Sequence, residues 1–140
     1  MTKTRGSVTI ELAILAPSIL LLAGFAMLVG RISLAAAAVD GATYSGARAA
    51  SLARDASTAK SRAEHSIETT LQAQDVHCLN LFVDVDTSQF RRAVGEPASV
   101  TVVVECRVDL SAGAFPGMER DHWVSARYSS PLDQFRGRSG

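Results

Sequence analysis

The chain is 140 residues long, 47% hydrophobic and formally neutral, with 14 Lys and Arg against 14 Asp and Glu. Beyond Gly30 the balance is 12 bases to 13 acids with the signs mixed, which excludes the concentrated basic face that nucleic-acid phosphates require. A chain of this length holds one domain, and its apolar start withholds about 30 residues from any soluble core, so the remainder is a small ectodomain.

The first element is a membrane span. Leu12 to Gly30 is a run of 19 residues without a charge, close to the ~20 needed to cross ~30 Å of hydrocarbon. Lys3 and Arg5 precede it with no acid beside them, whereas Arg31 is the only base near its other end. This asymmetry favours a cytoplasmic N-terminus and an extracytoplasmic C-terminal region. Pro17 falls inside the span, where it removes one backbone donor and either bends the helix or is simply tolerated. Glu11 stands at the mouth of the span. A carboxylate entering hydrocarbon costs up to about 3 kcal/mol on insertion scales, so a residue of this kind needs a partner. A peptidase cut between Gly6 and Ser7 would supply one, because the new Ser7 ammonium of one subunit could pair with Glu11 of a neighbour.

This arrangement resembles the class III signal of type IV pilin-like proteins, in which a prepilin peptidase cuts after glycine and glutamate is the fifth mature residue. Within that group the block Arg5-Gly6-Ser7-Val8-Thr9-Ile10-Glu11-Leu12-Ala13, with Pro17, is similar to the TadE-like family of tight-adherence pilus systems. Ser7 stands where type IV pilins commonly carry phenylalanine, and Leu12 stands where major pilins of tight-adherence systems carry tyrosine. With the length of the chain, these departures point to a minor pilin or pseudopilin. The resemblance implies a structural role in pilus or secretion-system assembly, with a prepilin peptidase, other pilin-like subunits and an inner-membrane platform as partners. It assigns processing to Gly6 and Ser7 and assembly to Glu11. A competing reading is a signal-anchored or secreted binding module. Ala36-Ala37-Ala38 offers a secretory cleavage site before Val39, although the apolar run is longer than the ~7 to 15 residues of a removable core.

Beyond the span, Ile32, Ala35, Val39, Ala42, Gly46, Ala49, Leu52, Ala56, Ala59, Ala63, Ile67 and Leu71 recur at steps of three or four, the spacing of one helix face. Most are small, and a stripe of Ala and Gly lets a neighbouring element approach closely; the alternative is that the alanines reflect helix propensity and face water. An unbroken helix from Val8 to Leu71 would measure about 95 Å. Asp40-Gly41 and Gly46 are the expected interruptions, since glycine costs about 1 kcal/mol against alanine within a helix.

After Gln74-Asp75 the period becomes alternating. Leu79, Leu81, Val83 and Val85 form one face of a strand against Asn80, Phe82, Asp84 and Asp86. Val100, Val102, Val104, Cys106, Val108 and Leu110 line a second, with Thr101, Glu105, Arg107 and Asp109 on a wet face that Val103 interrupts. Thr87 to Pro97 suits a hairpin loop. A third strand is expected from His122 to Tyr128, after a loop at Gly113 to Gly117, and Ser130-Pro131-Leu132-Asp133 near the C-terminus also fits the family resemblance. Three strands need one face covered, and the long helix is the available cover. The fold expectation is therefore α+β and pilin-like, a long N-terminal helix packed on a small antiparallel sheet. Its parts are a leader at 1–6, a transmembrane helix at 7–30, an extended helix outside the membrane at 31–75 and a β-rich ectodomain at 76–140.

Cys78 and Cys106 both fall on the extracytoplasmic side, where one disulfide is the simple inference. Pairing Val83 with Val102 would turn Cys78 to the wrong face, so either a bulge intervenes or Cys78 precedes the paired region. His65, His77 and His122 are scattered without zinc spacing, and no phosphate-binding loop or nucleophile elbow occurs. Asp84 and Asp86 read as carboxylates on a wet strand face rather than a metal pair. These patterns point to no catalytic residue, no metal and no cofactor, hence to a protein that is not an enzyme. Trp123 is expected in the core, with a contact anchor as the alternative.

Overall fold

The computed structural model describes residues 5–111, 120–133 and 135, with side chains from Ile10 onward. Helix α1 runs from Arg5 to Ser51 and α2 from Ala56 to Ala73. Strands β1 (Cys78–Asp86), β2 (Ser99–Asp109) and β3 (Asp121–Pro131) follow and form one antiparallel sheet in the order β1-β2-β3. The result is the expected α+β arrangement, with a long apolar helix packed on a small sheet.

At 47 residues, α1 is about 70 Å long. From Leu12 to Gly30 it carries no charge, and Ile10, Leu12, Leu15, Leu20, Phe25 and Met27 lie exposed, with Leu28 the buried exception among the described residues. That is the pattern of a helix whose neighbour is hydrocarbon rather than a stripe facing a core. The helix is long and apolar enough to cross a membrane. It continues through Pro17.

A single helix over 31–75 is corrected to two helices folded back on each other. The break falls at Leu52–Asp55 rather than at Asp40-Gly41 or Gly46, which both lie inside α1. Asp55 is the reason. In extended conformation, it accepts the Thr58 N–H at 2.8 Å and the Thr58 and Ser57 hydroxyls at 2.8 and 2.6 Å, which caps α2 and fixes the turn. These bonds, led by the Ser57 hydroxyl, hold the Asp55 carboxyl down at about 2. Helix α2 ends at Ala73, and two residues on, the left-handed backbone of Asp75 (φ 56°) lets the Val76 N–H reach the Leu71 carbonyl at 3.0 Å.

The small-residue stripe packs inside the chain. Ala35, Val39, Ala42 and Gly46 of α1 and Ala59, Ala63, Ile67 and Leu71 of α2 are buried, whereas Leu52, at the turn, is exposed. At Gly46 the helices approach closely, because a Cβ built there would lie 2.7 Å from two side-chain carbons of Ile67. Beside it, the Ser45 and Ser66 hydroxyls meet at 2.9 Å. Thr43 is fully buried yet satisfied by the Val39 carbonyl at 2.7 Å.

The sheet lies over this helix pair. Val85 of β1, Val100, Val102, Val104 and Cys106 of β2 and Val124 of β3 face inward and join the helical residues in one core. A 3-10 turn at Ser88–Arg91 lies within the expected β1–β2 loop and buries Phe90 at one end of that core. At the same end, the Leu132 N–H bonds the Ala98 carbonyl at 2.8 Å, and the Leu132 side chain is buried. The Gly113 to Gly117 loop lies outside the described residues.

The register differs from the pairing of Val83 with Val102. Val83 pairs with Val104, Val85 with Val102 and Leu81 with Cys106, and a bulge between Cys78 and Asn80 leaves Leu79 as the extra residue. The bulge turns Cys78 back to the inner face beside Val108. Cys78 and Cys106 form a disulfide there, with their Cα atoms 5.4 Å apart.

Candidate functional site

The N-terminal segment is one continuous helix. Gly6 and Ser7 lie in the first turns of α1, and Glu11 follows one turn after Ser7. The Glu11 side chain is exposed at the start of the apolar rod. From Glu11 to Arg31 is 20 residues, about 30 Å of helix, which matches the hydrocarbon thickness and would put one charged side chain at each boundary of a spanning segment. The packed part of the chain begins near Arg31, where α1 meets the end of α2 and the end of β2. The same helix therefore holds both a stretch apolar enough to cross a membrane and a core element, without an intervening linker. A cut before Val39 would separate Ala38 from Val39, both wholly enclosed, in mid-helix.

Among the described residues the three histidines stand apart from one another: His65 and His122 are exposed, and His77 meets Asp75 at 3.3 Å. Among the described residues no group of His, Cys, Asp or Glu could hold a metal ion. Asp84 is exposed, and Asp86 accepts the Ser88 N–H at 2.9 Å, which starts the 3-10 turn. The Ser88 hydroxyl and this N–H keep the Asp86 carboxyl below its ordinary range.

Trp123 is a correction. It lies on the outer face of the sheet at 50% exposure and stacks on Phe82, itself 58% exposed, with ring centroids 6.0 Å apart. The outward position follows from register: Trp123 pairs with Arg107, which lies on the wet face of β2. Arg107 forms an ion pair with Asp121 on the same face. The signal for an outer aromatic pair is Phe82, an aromatic among the polar positions of β1. Tyr128 lies on the other face and meets Tyr44 of α1 edge to face, with centroids 4.7 Å apart.

A groove of about 410 Å³ opens where α1 leaves the apolar segment, between Arg31 and Leu34 on one side and the ends of α2 and β2 on the other. The residue pattern gives no sign of it, since the fold brings together positions far apart in sequence.

Residues 6–48 match the family model described as TadE-like protein. The match covers most of α1, including Gly6, Ser7, Glu11 and Arg31, and ends before α2 and the sheet. No curated protein and no solved structure matches the chain.

Proposed function

We propose that this protein, whose N-terminal helix is a TadE-like domain, is a minor pilin-like assembly component of a bacterial tight-adherence pilus or secretion system. The observation that carries the reading is the helix itself. It is uncharged from Leu12 to Gly30, where most of its large side chains lack protein cover, bears one acid at its entrance, and runs without a break into the core of a disulfide-bonded domain. The role is structural rather than enzymatic. A prepilin peptidase at the cytoplasmic face removes residues 1–6, and the Ser7 ammonium of one subunit then meets Glu11 of the next inside a low-dielectric layer. Such a pair is worthwhile there because an unpartnered carboxylate in lipid is costly. The anchored chain has its N-terminus in the cytoplasm and its sheet outside, and the ectodomain docks on other pilin-like subunits and the inner-membrane assembly platform.

N-terminal sequencing of the membrane-extracted protein tests this reading. A terminus at Ser7 supports it. An intact Met1 terminus favours a signal-anchored binding module, and a terminus at Val39 favours secretion.

A further inference from the structure

We propose that the open edge of β3 pairs in parallel with the open edge of β1 in a second copy of this chain, so that neighbouring copies extend one sheet. The proposal uses membrane insertion of α1 and does not depend on processing at Gly6.

The edges themselves are the first observation. In the order β1-β2-β3 each outer strand pairs with β2 on one side only, and among the described residues no backbone hydrogen bond reaches its other side. Strand β3 is 11 residues long, keeps an unbroken register against β2 from Asp121 to Pro131, and has its single proline at the end. The devices that blunt an edge, such as a bulge, an internal proline or a run of charge, are missing from it, which leaves a template for another strand.

Charge selects the occupant. Asp84 of β1 and Arg127 of β3 both pair with Val103, so they flank it in one row on the outer face, at opposite edges of the sheet. Both are exposed, and neither forms an ion pair among the described residues. Strand β1 carries Asp84 and Asp86 and no base, whereas the Asp121 carboxylate of β3 is engaged by Arg107, so Arg127 is the charge that the β3 edge offers. The acidic edge of one copy therefore complements the basic edge of the next. Continued in register, the row sets Arg127 beside Asp84 of the second copy at the ~5 Å spacing of adjacent strands. A slip of one residue would turn the two side chains to opposite faces.

Direction is the third. Strands β1 and β3 both run antiparallel to β2 and so parallel to each other. Joining β3 to β1 of a copy in the same orientation makes a parallel junction, and every α1 then points the same way. The antiparallel alternatives, β3 with β3 or β1 with β1, turn the second copy by a half rotation about the sheet normal. Because α1 lies against the sheet, that rotation reverses it, and the two anchors could not enter one membrane from the same side. The β1 pairing would also bring two acidic edges together.

The test uses membranes in which two tagged copies of the full chain are co-expressed, one with Asn80→Cys on β1 and one with Ser125→Cys on β3. Both positions are exposed on the outer face, and the native cysteines are tied in the disulfide. Across the proposed junction the new thiols are diagonal neighbours about 7 to 8 Å apart, within reach of a short bifunctional maleimide. The expected product joins an Asn80→Cys chain to a Ser125→Cys chain. Arg127→Glu in both copies should lower its yield roughly five- to tenfold, and adding Asp84→Arg should restore most of it, because the pair is then swapped rather than lost. Unchanged melting of the variants verifies the fold. Products joining two copies of the same variant at equal yield would overturn the proposal, as would the absence of any linked product or a yield that charge reversal leaves intact. Carbonate extraction reads the anchor separately: a released chain removes the common membrane that fixes the direction, and the proposal falls with it. A mature terminus at Met1 instead of Ser7 would overturn the pilin-like reading and leave the junction standing.

Discussion

Gly46 of α1 and the Ile67 side chain of α2 claim the same space, so that a single added carbon at Gly46 would stand 2.7 Å from both Cγ1 and Cδ1 of Ile67. The close approach of the two helices depends on that missing carbon. Gly46→Ala should gain helix propensity, about 1 kcal/mol, and lose more to overpacking, which costs about 1 to 3 kcal/mol in a well-packed core. Thermal unfolding of the ectodomain should register a net loss. In an Ile67→Ala background the same change should become neutral or stabilising, and a loss of equal size in both backgrounds would refute the contact.

The disulfide joins residues 28 positions apart, and the chain-entropy model assigns about 3 to 4 kcal/mol to a loop of that size. Replacing Cys78 and Cys106 together by Ala should lower stability by that order, seen as an earlier denaturant midpoint. The wild-type protein should show the same loss on addition of a reductant, and the double variant should not respond to it.

Asp55 makes α2 sensitive to acid. Its carboxyl is held near 2, against an ordinary value of 3.8, by the Ser57 hydroxyl first and then by the Thr58 N–H and hydroxyl. A carboxyl lowered in this way stabilises the fold fully above its unfolded value and loses that contribution as pH falls through the folded one. The melting difference between wild type and Asp55→Ala should therefore be constant above about pH 4 and shrink toward about pH 2. Asp55→Asn should retain most of the cap. A difference independent of pH across that window would show that the ionised carboxylate is not what caps the helix.

Processing has its own signature. Gly6 replaced by a bulky residue should leave an uncleaved, membrane-bound precursor, detected as a mature mass larger by the leader. If the mature mass changes by no more than the substituted residue, cleavage does not occur at Gly6.

Glu11→Gln separates assembly from insertion. The amide is close in size and less costly in lipid than a carboxylate, so cleavage and membrane residence should persist. Cross-linking to pilin-like partners, or surface pili in otherwise normal cells, should be lost. Unchanged assembly would remove the proposed pairing with the Ser7 ammonium.

The elements most legible in the sequence are those with a strict period. Alternation from Val100 to Leu110 gives β2 its correct inner face because each slip by one residue would bury Glu105 or Arg107. The β1 register is out of reach, since the 3-10 turn at Ser88–Arg91 and the bulge at Leu79 shift the pairing without disturbing the alternation. Glycine propensity misplaces the helix break at Gly41 and Gly46. Side-chain capping by Asp55 decides the matter, and Asp55 followed by Ser57 and Thr58 is the signal for it. Size alone draws Trp123 toward the core, whereas its pairing opposite Arg107 sends it outward.

With its apolar portion embedded as proposed, α1 runs unbroken from that portion into the packed core, and the protein is then mechanically one lever. The portion from Arg31 to Ser51 is about 30 Å long. An ordinary 20° tilt of the embedded portion would then sweep the far end sideways by about 10 Å and turn the sheet with it. Axial force on the embedded end reaches the sheet through a hydrogen-bonded rod rather than through a slack tether, so the ectodomain reports the angle and depth of its anchor directly to whatever it touches.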